Sequence, residues 1–152
     1  MVDNVMLTIN TPPKYLEIVQ HPNHFYEFIF KQANRAALDE WFVYIEQLYQ
    51  LPQETSVKVL VDTTTVQPPL SHAFRQAQAL VKKYPMRPKP MRYVFMGAEN
   101  QGMMHRILQS FIQILNTGDS TFYIYGEKRA QALDLLFVNE PQHYPIVMPQ
   151  PK

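Results

Sequence analysis

The chain has 152 residues, with 14 Lys plus Arg against 13 Asp plus Glu, 46% hydrophobic residues, 13 Pro, 4 Gly and no Cys. At this length a single core takes about 70% of the unfolded chain's surface out of water, so one domain is expected, and neither a disulfide nor a structural metal is needed to hold it. Lack of cysteine excludes a disulfide framework, a thiolate nucleophile and cysteine-ligated zinc or iron–sulfur centres, while Gly97, Gly102, Gly118 and Gly126 are too scattered to build GxGxxG or a P-loop.

The formal net charge of +1 projects no field that would attract nucleic acid or a membrane surface, so nucleic acid is not expected as a partner. The charge is unevenly spread. Residues 1–62 carry four basic and eight acidic side chains, residues 63–98 carry six basic and none acidic, and residues 99–152 carry four and five. No stretch reaches the ~20 apolar residues of a membrane span. The opening MVDNVMLTINTPPK lacks the cationic-then-apolar order of a signal peptide. A cytoplasmic protein is expected.

Residues 1–14 read as an N-terminal extension. Tyr15 to His21 and Phe25 to Lys31 are β-branched or aromatic runs separated by His21-Pro22-Asn23-His24, which predicts an antiparallel hairpin with Tyr26, Phe28 and Phe30 on one face. From Asn34, a good N-cap, the period changes to that of a helix. Leu38, Trp41, Phe42, Ile45, Leu48 and Tyr49 form its apolar stripe, Asp39 and Glu40 are placed in the first turn, and Val43 and Tyr44 fall outside the stripe. Val57 to Val61 reads as a central strand covered on both sides and ends at Asp62-Thr63-Thr64-Thr65. Ala73, Phe74, Ala77, Leu80, Val81 and Tyr84 predict a second helix, stopped by Pro85. Met86 to Arg92, with Pro88 and Pro90, is a connector into a strand over Tyr93 to Met96. Met104, Ile107, Leu108, Phe111 and Leu115 predict a third helix, Thr121 to Tyr125 a fifth strand, and Ala130, Leu133, Leu136 and Phe137 a fourth helix. From Asn139 the chain is a Pro-rich tail.

The order β-β-α-β-α-β-α-β-α over residues 15–138 predicts an α/β domain with a mixed, mostly parallel sheet covered by helices, in which only the first hairpin strand runs antiparallel to its neighbour. This order, with VLVDTTTVQPPLSHAF and the closing TFYIYGEKRAQALDLLF, resembles the STAS domain (sulfate transporter and anti-sigma factor antagonist), in particular its stand-alone bacterial branch, over about Tyr15 to Phe137. The resemblance implies a STAS-like fold and a regulatory, protein-binding role. In the anti-sigma factor antagonists a serine opening the helix after the third strand is the phosphorylation switch, and Ser71 is nearest to it by position. Here the neighbourhood reads Pro68-Pro69-Leu70-Ser71-His72, where the family carries an Asp-Ser-Ser-Gly-type motif. Related domains are also proposed to hold lipid-like ligands.

The residues support candidate sites independently of that likeness. Ser71 lies in the first turn of the second helix, where free N–H groups and the helix dipole favour negative charge, with Arg75 one turn on; the plainer reading is a helix cap. Asp62, Thr63, Thr64 and Thr65 end the central strand on its carboxyl side, where open α/β sheets bind ligands, although such turns also satisfy their own backbone. Lys82, Lys83, Arg87, Lys89 and Arg92 continue the cationic run beyond Arg75 and suit an acidic or phosphate-bearing surface. His21, His24, His72, His105 and His143 show no metal-ligand spacing, Ser71 and His72 do not make a nucleophile and base pair, and no catalytic constellation or cofactor site is visible, so an enzyme is not expected. Met86, Met91, Met96, Met103 and Met104 either fill core gaps or form an adaptable surface, and a homodimer face there is left open. Expected is a non-enzymatic module with a protein partner acting through Thr63 to Arg75; the alternative is a carrier with an apolar pocket for a lipid-like molecule.

Overall fold

Strands β1 (Leu16–His21) and β2 (Phe25–Phe30) form the predicted antiparallel hairpin, with His21 opposite Phe25 and Leu16 opposite Phe30. The reversal is tight because Asn23 and His24 both take left-handed backbone angles, φ 64° and 58°. Asn and His are among the non-glycine residues that tolerate this region best. The computed structural model describes residues 7–66, 69–88, 91–97, 120–125 and 128–137, with the backbone alone at Leu70 and along 120–125. The predicted third helix, Lys89, Met103, Met104, His105, His143 and the Pro-rich tail lie outside the described residues.

Helix α1 (Arg35–Tyr49) follows β2, then β3 (Lys58–Thr63), α2 (Leu70–Lys83), β4 (Arg92–Gly97), β5 (Ser120–Tyr125) and α3 (Arg129–Leu136). The sheet runs in chain order, β1-β2-β3-β4-β5, and every pairing after the first is parallel. An α/β architecture with a mixed sheet is therefore present. Strand order that follows chain order, with right-handed crossovers, puts α1 and α2 on the same face of the sheet. The packing agrees: Tyr26, Phe28 and Phe30 of β2, Val59 and Val61 of β3 and Tyr93 of β4 form one buried cluster with Leu38, Trp41, Ile45 and Leu48 of α1 and Leu80 of α2. The alternate residues Phe25, Leu60, Val94 and Met96 form a second cluster with Ala132, Leu133 and Leu136 of α3, and Phe137. Period-two alternation explains why β3 reads as a nearly unbroken apolar run, since both of its faces are covered.

Helix α1 begins as expected, the Asn34 Oδ1 accepting a hydrogen bond from the Ala37 N–H at 2.8 Å. It starts at Arg35, however, so Asp39 and Glu40 fall in its second turn and complement no free first-turn N–H groups. They hold other parts of the chain instead. Both Glu40 oxygens accept from the backbone, at 2.8 Å from the Lys14 N–H and 2.7 Å from the Tyr15 N–H. Gln47 binds Thr8 in both directions, at 2.8 and 3.0 Å, and Gln20 of β1 accepts from the Leu7 N–H at 2.7 Å. Residues 7–14, expected as an extension, are thus stitched to α1 and the edge strand, with the Leu7 side chain buried in the first cluster. Tyr44 is likewise buried, 6.5 Å from Phe28 between ring centroids, and only Val43 of the pair stands out in solvent, 56% exposed. Met91 and Met96 are core residues, whereas Met86 is 66% exposed.

Candidate functional site

The loop after β3 and the first turn of α2 lie at the carboxyl ends of the parallel strands. Asp62 pairs in register with Ile29 and Met96, which places it on the α3 face, and its Oδ1 accepts from the Thr64 N–H at 2.9 Å and from the Thr64 hydroxyl at 2.6 Å. This is an Asx-type turn in which the carboxylate satisfies the chain leaving the strand. The Thr63 hydroxyl donates to the Met96 carbonyl at 3.1 Å and ties the ends of β3 and β4 together. Thr65 is exposed. Of this quartet, two side chains and one carboxylate are occupied in closing the strand ends.

The α2 start differs from the helix-cap reading of Ser71. Pro69 is the N-cap and offers no side-chain oxygen, so Ser71 does not cap the helix; it is the second helical residue. The first-turn N–H groups carry no side-chain cap and no acidic residue stands among them. Ser71 and Arg75 are both exposed and lie one turn apart, on the same side of the helix. Helix dipole and guanidinium together make this end of α2 attractive to negative charge.

On its neighbouring side, α2 is tied to α1 by residues that sequence reading left apart. The His72 Nε2–H donates to Asp39 Oδ1 at 2.7 Å, and the Gln76 amide donates to the same oxygen at 2.7 Å. The His72 hydrogen bond is the main cause that holds the Asp39 carboxyl below its ordinary range. At the other end of the helices the Lys83 ammonium and the Tyr84 hydroxyl both donate to Glu46 Oε2, at 2.7 and 2.6 Å. They lower the Glu46 pKa, Lys83 more strongly, and Glu46 in turn raises those of Lys83 and Tyr84.

The cationic run does not make one surface. Lys82 and Lys83 are exposed in the last turn of α2, where the dipole favours cations, about 10 Å along the axis from Arg75. Arg87 is turned inward, 3% exposed, with its guanidinium 5.5 Å over the Tyr49 ring and Nη1 donating to the Tyr84 carbonyl at 3.4 Å. A planar guanidinium sits on an aromatic ring with little hydration to lose, which allows burial. Arg92 belongs to the α3 face through strand alternation, and donates to the Leu136 carbonyl at 3.1 Å. Arg87 and Arg92 therefore leave the proposed patch.

A second polar group, on the α3 face at the amino ends of the strands, was not anticipated. Glu27, 7% exposed, receives Arg129 through two nitrogens, Nε to Oε1 at 3.1 Å and Nη2 to Oε2, and His21 Nε2–H donates to the same Oε2. The His21 ring stacks on Phe25 at 4.5 Å. Lys58, 3% exposed, reaches the Ser56 hydroxyl at 3.0 Å and lies 5.2 Å over the Phe137 ring. His24 Nδ1 lies 3.4 Å from the Tyr26 hydroxyl, and its pKa is lowered first by burial and then by the Lys58 charge. The HxxH spacing of His21 and His24 thus divides between two different partners. Among the described residues no three His, Asp or Glu side chains converge as metal ligands, and no helix is long and apolar enough to cross a membrane.

No family model, curated protein or solved structure matches this chain.

Proposed function

We propose that the chain is a STAS-like, non-enzymatic regulatory module that binds an acidic segment of a protein partner through the surface from Thr63 to Arg75. The observation that carries this reading is the uncapped first turn of α2, with Ser71 and Arg75 both exposed beside it. Free N–H groups at the positive end of a helix and a guanidinium one turn away offer directional donors to a carboxylate or phosphate group. The fold supports the same reading, since the loop after the central strand lies where α/β sheets commonly bind. The His72–Asp39 bond supports it further by tying the first turn of α2 to α1.

The carrier alternative gains nothing from the described layer between α1, α2 and the sheet. There Trp41 meets Phe28, Phe30, Phe42 and Phe95 at ring distances of 4.8–6.4 Å, and the chain's own aromatic side chains take up the space an apolar ligand would need. The test is capture of partners by the tagged chain from its native cell, with bound protein, phosphate and small molecules identified by mass spectrometry. A partner retained by the native chain and lost on Arg75→Glu is expected. Equal retention by both, or an apolar ligand with no protein partner, overturns the reading.

A further inference from the structure

Helix α3 has little of its own to make it helical. Its eight residues fall short of the ~12–15 at which an isolated helix becomes even marginal. Lys128 at its N-cap makes no side-chain cap bond, no acidic residue stands in its first turn and no basic residue in its last. Arg129 opens the helix and sets a cation at the positive end of the dipole, an unfavourable position unless a carboxylate answers it. Glu27 of β2 answers it, from 102 positions earlier in the chain. Other attachments among the described residues include the apolar contacts of Ala132, Leu133, Leu136 and Phe137, the Arg92 bond to the Leu136 carbonyl and the Lys58–Phe137 contact.

We infer that α3 is a cover that opens independently of the sheet beneath it, and that the buried Glu27 carboxylate is the point at which it is released. Glu27 is the acceptor for both Arg129 and His21, so loss of its carboxylate removes the clamp at the start of the helix in one step. The charged and titratable groups around it are Glu17 and His21 on β1, His24 in the hairpin loop, Lys58 and Asp62 on β3, Arg92 on β4, and Lys128, Arg129 and Asp134 at α3. Asp62 is engaged with Thr64, and Glu17 lies toward the other end of β1. Opening of α3 uncovers Phe25, Leu60, Val94 and Met96 while the α1/α2 layer stays closed, which is sub-global unfolding of one foldon.

Hydrogen–deuterium exchange of the full chain, corrected for intrinsic exchange rates, tests this. In Glu27→Gln at neutral pH the α3 amides should exchange at least about tenfold faster than in the native chain, with β3 unchanged. Arg129→Gln, altered at a more exposed position, should give the same selective loss. If Glu27→Gln does not fold, Arg129→Gln decides. Parallel loss of protection in α3 and β3, or unchanged α3 protection in Arg129→Gln, overturns the inference.

Discussion

The two faces of the sheet are built on different terms. Toward α1 and α2 the sheet presents Tyr26, Phe28 and Phe30 beside Val59 and Val61, and Trp41 sits among aromatic rings from three elements. Toward α3 the apolar cluster of described residues is smaller and shares its face with Glu27 and Lys58, two of the three buried charged residues among those described. Apolar burial is non-directional and tolerates imperfect geometry, at about 1.5–3 kcal/mol for each large side chain fully buried. A buried carboxylate needs its partners in place and loses much when one is taken away. One face is therefore held by area, and the other by area together with a few specific bonds.

The largest expected effect comes from breaking the first face. Phe28→Ala should lower global stability by about 3–5 kcal/mol in denaturant unfolding, with probes of both faces moving together. Leu133→Ala, on the second face, removes a fully buried side chain, and by volume alone should cost about 2–5 kcal/mol. If α3 is a separable cover, much of that loss will appear as faster exchange in α3 and less as a shift of the global midpoint. Asn34→Ala should cost about 1 kcal/mol by leaving the Ala37 N–H without its cap, measured by the same unfolding transition.

Two pH effects sharpen the contrast with smaller changes. The folded His24 pKa lies below its ordinary 6.5, so between the two values the unfolded chain binds the extra proton. Stability is kept above about pH 6.5 and declines as pH falls from there through the folded value; Lys58→Met should move the His24 titration, followed by NMR, back toward its ordinary position. On the first face Glu46 is depressed from its ordinary 4.5, so its contribution is present above that pH and lost as pH falls through the folded value. Lys83→Met should weaken this acid dependence, with the Glu46 titration rising toward its ordinary range, and leave the sheet unaltered. The exposure of the Lys83 side chain, 62%, keeps this the smallest of the expected changes.

Much of this architecture was legible before any coordinates. Alternation in FYEFIF and the run VKVLV placed β2 and β3 to within two residues, the period of Leu38, Trp41, Ile45 and Leu48 placed α1, and Asn34 marked its start. The same signals misplaced Tyr44, because a helix lying on a sheet beside a second helix buries a wider arc than one apolar stripe. They also set Asp39 and Glu40 in the wrong turn: with Asn34 as N-cap they are the fifth and sixth helical residues, beyond the free N–H groups of the first turn. The candidate site was legible in part. Ser71 and Arg75 share an exposed side of α2 as their spacing implied, whereas the N-cap position expected at Ser71 is held by Pro69, which caps nothing with its side chain.

Local pattern, then, was enough for the described elements and the direction in which the strands run, because periodicity, capping and turn preference act over a few residues and are written in neighbouring positions. Which charges meet was not. Glu27 and Arg129 lie 102 positions apart, His72 and Asp39 33, and the six cations between 63 and 98 look like one patch until strand alternation and an aromatic ring separate Arg92 and Arg87 from the rest. Net charge is a property of the whole chain, but electrostatic energy depends on distance and burial, and those are set only when the sheet has formed and its two faces have been covered.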